Sequence, residues 1–316
     1  MFYRTSEPTN QIGSQLLEDV QQQLALSGVD RQDMALTLLL HPSPLTADLA
    51  VTPPLGFSYN GDKPFYPASV VKSFYLVAIE AALQEGRVQM HDELERAMRD
   101  MILWSSNNAT NYIIDLISGT TGDTLLEDKA FKDWQSQRNV ANRYFKSLGW
   151  PELEGINVCQ KLMDDDRYGR ERQFATLGGN NHNRLTTDAT ARLFFHLFSC
   201  TLGNLQCCDR MRQRFLRPLD EAFVTQEAAQ VQGFLGGGLP STATLYSKAG
   251  WNGSTGDPLS SYNRHDAAYI ELEANPDGLF KAFTLILFSH GRTVSTDEKV
   301  FPSIGRKAYA LIESLR

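Results

Sequence analysis

Leu16, Leu17, Val20 and Leu24 recur at helical spacing within Ser14–Ser27, and Gly28 follows as a terminator, which predicts an amphipathic helix near the start of the chain. Met34–Leu40 and Gly56–Asn60 read as strands, joined by a stretch punctuated by Pro42, Pro44, Pro53 and Pro54. From Ser69 to about Phe215 the spacing becomes helical. It predicts helices over Ser69–Gln84 (ended by Gly86), His91–Leu103, Ala109–Ser118, Thr124–Ser147 and Thr187–Cys200. Strand patterns return at Leu245–Trp251, Ala267–Glu273 and Ala282–Ser289, before a closing helix over Asp297–Leu315. This order predicts an α/β (α+β) protein. Residues 1–64 and 216–316 would form one discontinuous sheet domain around an inserted, all-helical domain of residues 65–215, with the groove between them as the expected place for a small-ligand site.

Composition narrows the classes of partner. The 316 residues carry a formal net charge of −7, which argues against a nucleic-acid-binding surface, and no apolar run approaches the roughly 20 positions of a membrane span. A small-molecule substrate and a monomeric chain are the expectation. Met1–Pro8 lacks the apolar region and small-residue cleavage site of a secretory signal, so the chain as written reads as cytoplasmic, or as periplasmic or secreted if a signal was removed. Cys159, Cys200, Cys207 and Cys208 show neither a framework-like distribution nor zinc spacing and read as four free thiols, with a bridge from Cys200 to one of the vicinal pair as the alternative. His41, His91, His182, His196 and His265 fall in no metal-binding arrangement, so neither metal nor cofactor is expected. Gly236-Gly237-Gly238 reads as a turn.

The chemistry concentrates in Tyr66-Pro67-Ala68-Ser69-Val70-Val71-Lys72-Ser73-Phe74, where Ser69 and Lys72 stand one turn apart at the start of an apolar helix. A serine hydroxyl needs a base to take its proton as it attacks. A lysine can serve only if burial or a neighbouring cation lowers its pKa from about 10.4, and Phe74–Ile79 offers an apolar setting. Alone, the four-residue pattern recurs by chance and reads more readily as a capping serine beside a surface lysine. Two later segments change this: Trp104-Ser105-Ser106-Asn107-Asn108-Ala109-Thr110-Asn111, and Tyr246-Ser247-Lys248-Ala249-Gly250-Trp251.

In this order the three segments resemble the S-x-x-K, S-x-N and K-[ST]-G elements of class A β-lactamases and penicillin-binding proteins. The resemblance extends to Met34–Leu40 as a first strand, Gly56–Phe65 as the approach to the nucleophile, Asn183–Asp188 as a Thr-Thr helix start, and Arg264–Ala268 as the entry to the strand after K-[ST]-G. It covers roughly residues 30 to 315, and implies an antiparallel sheet flanked by the N- and C-terminal helices. It further implies Ser69 as nucleophile, Lys72 as base, Ser105 as proton relay to the leaving nitrogen, Lys248 as the cation that lowers the Lys72 pKa, and Asn107 as the orienting amide. The backbone N–H groups of Ser69 and Trp251 would form the oxyanion site, with Gly250 leaving the strand uncrowded for substrate.

Two departures qualify the resemblance. Ala249 replaces the hydroxyl that the family pattern uses to bind a substrate carboxylate, and Arg264 is the candidate replacement cation. The loop Asp164–Arg184 lacks the family's glutamate motif; its only glutamate, Glu171, is the candidate deacylation base, and Asp164, Asp165 and Asp166 read as a solvated turn. The expected function is a serine hydrolase that opens a β-lactam or related cyclic or linear amide through an acyl-Ser69 intermediate. The alternatives are an amidase, esterase or D-amino-acid peptidase with the same nucleophile, or a non-catalytic ligand-binding relative.

Overall fold

The computed structural model describes residues 1–47, 52–122, 124–163, 167–273 and 277–315, so Asp164, Asp165 and Asp166 lie outside the described residues. Its elements run α1 (Glu7–Leu26), β1 (Met34–His41), β2 (Leu55–Tyr59), α2 (Lys72–Gln84), α3 (Asp92–Leu103), α4 (Asn107–Ser118), α5 (Asp128–Arg138), α6 (Val140–Ser147), α7 (Gly169–Ala175), α8 (Thr187–Phe198) and α9 (Leu205–Phe215). Then follow β3 (Leu216–Arg217), α10 (Glu221–Val224), β4 (Thr244–Asn252), β5 (Asn263–Glu271), β6 (Ala282–His290), α11 (Arg292–Thr296) and α12 (Val300–Glu313). The strands form one antiparallel sheet in the order β2-β1-β6-β5-β4-β3.

Both faces of this sheet are covered. Leu36, Leu38 and Leu40 of β1, with Leu285 and Leu287 of β6, pack with α1 and α12, while Ala35, Leu39, Ile286 and Phe288 turn into the core shared with α2, α4 and α8. That is the period-two alternation of a strand buried on both sides. β1 reads as a nearly continuous apolar run for this reason. Among the described residues no helix is long and apolar enough to cross a membrane.

Where the observed elements depart from the sequence reading, local chemistry explains it. The first helix begins at Glu7 because Ser6 accepts the Thr9 amide, with Pro8 in the first turn. The single helix expected over Thr124–Ser147 is two, broken at Asn139 (φ −78°, ψ 14°). β5 starts four residues earlier than expected, because Arg264, His265 and Asp266 are buried strand residues despite their polarity. The four-free-thiol expectation is corrected. Cys200, in a left-handed turn at φ 57°, reaches Cys208 with Cα atoms 5.4 Å apart and forms a disulfide, while Cys207 and Cys159 stay reduced and buried.

Buried histidines make the fold acid-sensitive. His265 Nδ1 accepts the Ser289 amide and its Nε2 donates to the Tyr66 carbonyl at 2.8 Å, a pattern that only the neutral ring satisfies. Burial pulls its pKa down to about 4, and that of His41 down to about 3. Below about 6.5 the unfolded chain binds protons that the native rings refuse, which lowers stability by about 1.4 kcal/mol per pH unit for each ring. Asp266 opposes this: burial raises its carboxyl to about 6, so between about 6 and 3.8 the native state takes its proton first. Two destabilising groups against one leave a net loss, and the thermal midpoint should fall steadily as pH drops from 6.5 to about 4. A flat or rising midpoint over that window would contradict the neutral assignment.

Candidate active site

Ser69, the expected nucleophile, sits in a short 3₁₀ turn, Ala68–Val71, that leads directly into α2. Ala68 takes a left-handed φ of 45°, and the following Ser69 is only half-buried, whereas Lys72 is fully buried. Lys72 Nζ lies 2.9 Å from Ser69 Oγ, 2.8 Å from Asn107 Oδ1 and 3.1 Å from Ser105 Oγ, and also donates to the Ser105 carbonyl. Lys248 Nζ approaches the same Ser105 hydroxyl at 3.0 Å from the opposite side. One hydroxyl therefore bridges two buried amines. Burial above all, then the charges of Lys72 and Arg217, hold the Lys248 pKa well below the usual lysine range.

The backbone explains why Ser105 is free to form this bridge. α4 is capped by Ser106, whose hydroxyl accepts the Ala109 amide at 3.2 Å, so the neighbouring Ser105 is released from capping. Its left-handed conformation, φ 55°, turns its side chain toward the lysines. Asn107, in the first turn of α4, carries its amide oxygen to Lys72.

Three residues that sequence reading passed over brace the site. Arg217 is buried and spends its guanidinium on backbone carbonyls: Leu103 at 2.8 Å, Ile102 at 2.6 Å, and Ser247 at 3.0 and 3.2 Å. It ties the end of α3, just before Ser105, to the strand that carries Lys248. Gln230, in a left-handed conformation (φ 55°), accepts from Lys248 Nζ at 2.7 Å, and the Ala249 carbonyl accepts at the same distance. Asp266, fully buried, accepts the Leu235 amide. An arginine two positions after the last helical residue, Phe215-Leu216-Arg217, is the one available signal; Gln230 offers none.

The other expected residues divide. Gly250 is required by packing: a Cβ there would lie 2.7 Å from the Ser69 amide nitrogen and 2.8 Å from both the Val70 amide nitrogen and the Pro67 oxygen, so β4 runs directly against the Ser69 turn. Trp251 is exposed and lines the groove. Three expectations are corrected. Ala249 lies in the apolar core packed with α1 and α12, off the groove. Arg264 is buried on that same side, donating to the Ser295 and Gly233 carbonyls and lying 4.5 Å from the Phe234 ring centre. Glu171 is sealed in an ion pair with Arg138 (2.7 and 3.1 Å), both fully or nearly fully buried, and does not line the cavity at Ser69.

That cavity, about 490 Å³, is walled on one side by Trp251–Asp257 and on the other by Leu162, Met163, Arg167, Arg172 and His182, with Ser69, Ala68 and Asn107 at its floor. His182 Nε2 and Asp257 Oδ2, 2.6 Å apart, join the two walls. Asn111 holds the Leu162 backbone at both ends, its side-chain oxygen accepting the Leu162 amide and its side-chain nitrogen donating to the Leu162 carbonyl.

The profile of the beta-lactamase enzyme family matches residues 93–312, more than half of the chain. The chain belongs to this family. The match takes in Ser105, Asn107 and Lys248 and begins after Ser69 and Lys72. Among solved structures, a class A β-lactamase from Bacteroides cellulosilyticus DSM 14838 superposes with a TM-score of 0.64 at 16% identity, over 96% of this chain and 99% of that one. The β-lactamase from Sphaerobacter thermophilus DSM 20745 gives 0.62 at 18% identity, over 93% and 95%. A point mutant of PBP-A, solved as an acyl-enzyme complex with penicillin G, gives 0.58 at 18% identity, over 95% and 98%. These neighbours share the antiparallel sheet and its flanking helices. No curated protein is similar enough to match.

Arg217→Met tests the brace. It strips four hydrogen bonds and leaves the α3 carbonyls buried without donors, which should cost about 2–4 kcal/mol in denaturant unfolding. Any turnover that depends on the Ser105–Lys248 contact should slow by about tenfold or more, because the Ser105 loop is no longer held against β4. Unchanged stability and turnover would show that Arg217 is not the brace.

Proposed function

We propose that this β-lactamase-family chain is a serine hydrolase that takes an acyl group from a β-lactam or related amide onto Ser69. The observation that carries the reading is the unbroken chain Ser69 Oγ, Lys72 Nζ, Ser105 Oγ, Lys248 Nζ, with successive separations of 2.9, 3.1 and 3.0 Å. Neutral Lys72 takes the hydroxyl proton while Oγ attacks the carbonyl carbon. The backbone N–H groups of Ser69 and Trp251 receive the developing oxyanion. As the C–N bond breaks, Ser105 gives its proton to the leaving nitrogen and is reprotonated from the lysine pair, leaving an ester on Ser69 and a free amine. Two ammonium groups on one hydroxyl repel each other, and with Lys248 held well below the usual lysine range the pair carries one proton, which must pass through Ser105 to Lys248 for Lys72 to act as base. Water then cleaves the ester to a carboxylic acid and restores Ser69; Glu171, held by Arg138, takes no part.

A second reading, an amidase, esterase or D-amino-acid peptidase on which a β-lactam adduct persists, is favoured by Ala249 and Arg264. Neither faces the groove, so a β-lactam carboxylate meets neither a hydroxyl at position 249 nor the Arg264 guanidinium. The penicillin adduct of the PBP-A mutant makes benzylpenicillin the first probe.

Time-resolved intact-mass spectrometry separates these outcomes. Benzylpenicillin should add one equivalent of mass to the wild type and none to Ser69→Ala, and that substitution should lower turnover of amide and ester substrates by at least about a thousandfold. An adduct that disappears within minutes supports the β-lactamase reading; one that persists while a simple ester is turned over supports the second. Turnover unchanged in Ser69→Ala would sink both.

A further inference from the structure

We propose that Arg167 and Arg172 form a subsite for a carboxylate carried on the acyl part of the substrate, so that this chain selects acyl donors with an acidic side chain. The inference rests on the acyl-Ser69 reading only to orient the substrate. If Ser105 protonates the leaving nitrogen, the leaving group lies toward Ser105 and Lys248, and the acyl substituent points the other way. Ser69 lines the 490 Å³ cavity, whereas neither Ser105 nor Lys248 does. The acyl substituent therefore enters that cavity.

Charge divides along the same line. Arg138, Arg192, Arg210, Arg212 and Arg214 each pair with a carboxylate, whereas among the described residues Arg167 and Arg172 do not. Arg167 is half-buried against Tyr66, and Arg172 is exposed at the rim. The cavity's one described carboxylate, Asp257, is engaged by His182, whose remaining ring nitrogen, Nδ1, is buried without a partner. Beyond Trp251 the situation reverses: a second cavity of about 330 Å³ is flanked by Glu227 and Glu298, and its arginine, Arg264, is spent on the Gly233 and Ser295 carbonyls. A protein of net charge −7 thus keeps at the acyl side of its nucleophile two guanidinium groups that pair with no described carboxylate, Arg167 sharing a hydrogen bond with the Tyr66 hydroxyl and Arg172 exposed. Planar guanidinium forks match a carboxylate in geometry, and a walled cavity shields the contact from screening better than open surface does.

Equilibrium binding to Ser69→Ala, which cannot form the ester, tests this without relying on catalysis. The ligands are benzylpenicillin and its analogue with a second carboxylate on the acyl side chain; the ring carboxylate is common to both and cancels. By titration calorimetry the dicarboxylate should bind about tenfold or more tightly at low salt, with the ratio shrinking as salt rises. Adding R167Q and R172Q together should bring the ratio to about one, and R172Q alone, at an exposed position, should reduce it severalfold even if the double variant folds poorly. Equal affinities in Ser69→Ala, no measurable binding of either ligand, or a ratio that survives both arginine substitutions would overturn the subsite. Wild-type acylation by the two penicillins, followed by intact mass, reports separately on the nucleophile. Selective binding without any Ser69 adduct would reject the acyl-transfer reading and leave the subsite standing.

Discussion

The Ser105 hydroxyl, held between the amines of Lys72 and Lys248, is the interaction on which the rest of this site depends. It is where the helical layer and the sheet meet chemically: Lys72 belongs to α2, Ser105 to the α3–α4 turn, and Lys248 to β4. Two buried amines sharing one small acceptor are costly unless every N–H is matched, and the surroundings match them. Lys248 has Ser105, Gln230 and the Ala249 carbonyl; Lys72 has Ser69, Ser105 and Asn107. Left-handed backbone at Ala68, Ser105 and Gln230 is the conformational cost of aiming these groups, about 1–3 kcal/mol for each such residue.

That cost is offset by framework around the site. Arg217 clamps the last carbonyls of α3 to β4, so the turn bearing Ser105 cannot drift from Lys248, and Gly250 lets β4 touch the Ser69 turn. His265 fastens Tyr66, three residues before Ser69, to β5. The same framework sets the electrostatics: Arg217 repels a proton on Lys248, while Asp266, on the strand paired with β4, pulls the other way. Position and protonation are therefore controlled by the same few buried groups.

Sequence periodicity disclosed the layers of this fold because both faces of the sheet are buried and the helices are amphipathic, signals that survive without tertiary context. Ser69, Lys72, Ser105, Asn107 and Lys248 were legible through the resemblance of their three short segments to a known family, and the fold brings these side chains together. What failed to show depended on long-range burial. Glu171 looked free among arginines because its true partner, Arg138, lies 33 positions earlier. Arg264 and Ala249 looked like groove residues because strand parity at the edge of a motif is set by pairing, here Ala249 with Asp266 and Trp251 with Arg264. Gln230 and Arg217 had little local mark, since each acts on atoms 18 to 115 residues away. Cys200 reached Cys208 only through a left-handed turn that composition does not encode.

If Ser105 carries the proton to the leaving nitrogen, its removal must hurt substrates in proportion to how much their leaving group needs that proton. Acylation of Ser69 in Ser105→Ala would be timed with benzylpenicillin, whose amine must be protonated to leave, and with a p-nitrophenyl ester, whose phenolate leaves unprotonated. The relay predicts that Ser105→Ala slows the penicillin reaction by about a hundredfold more than the ester reaction. An equal loss on both substrates would contradict the relay and leave Ser105 as a spacer between two lysines.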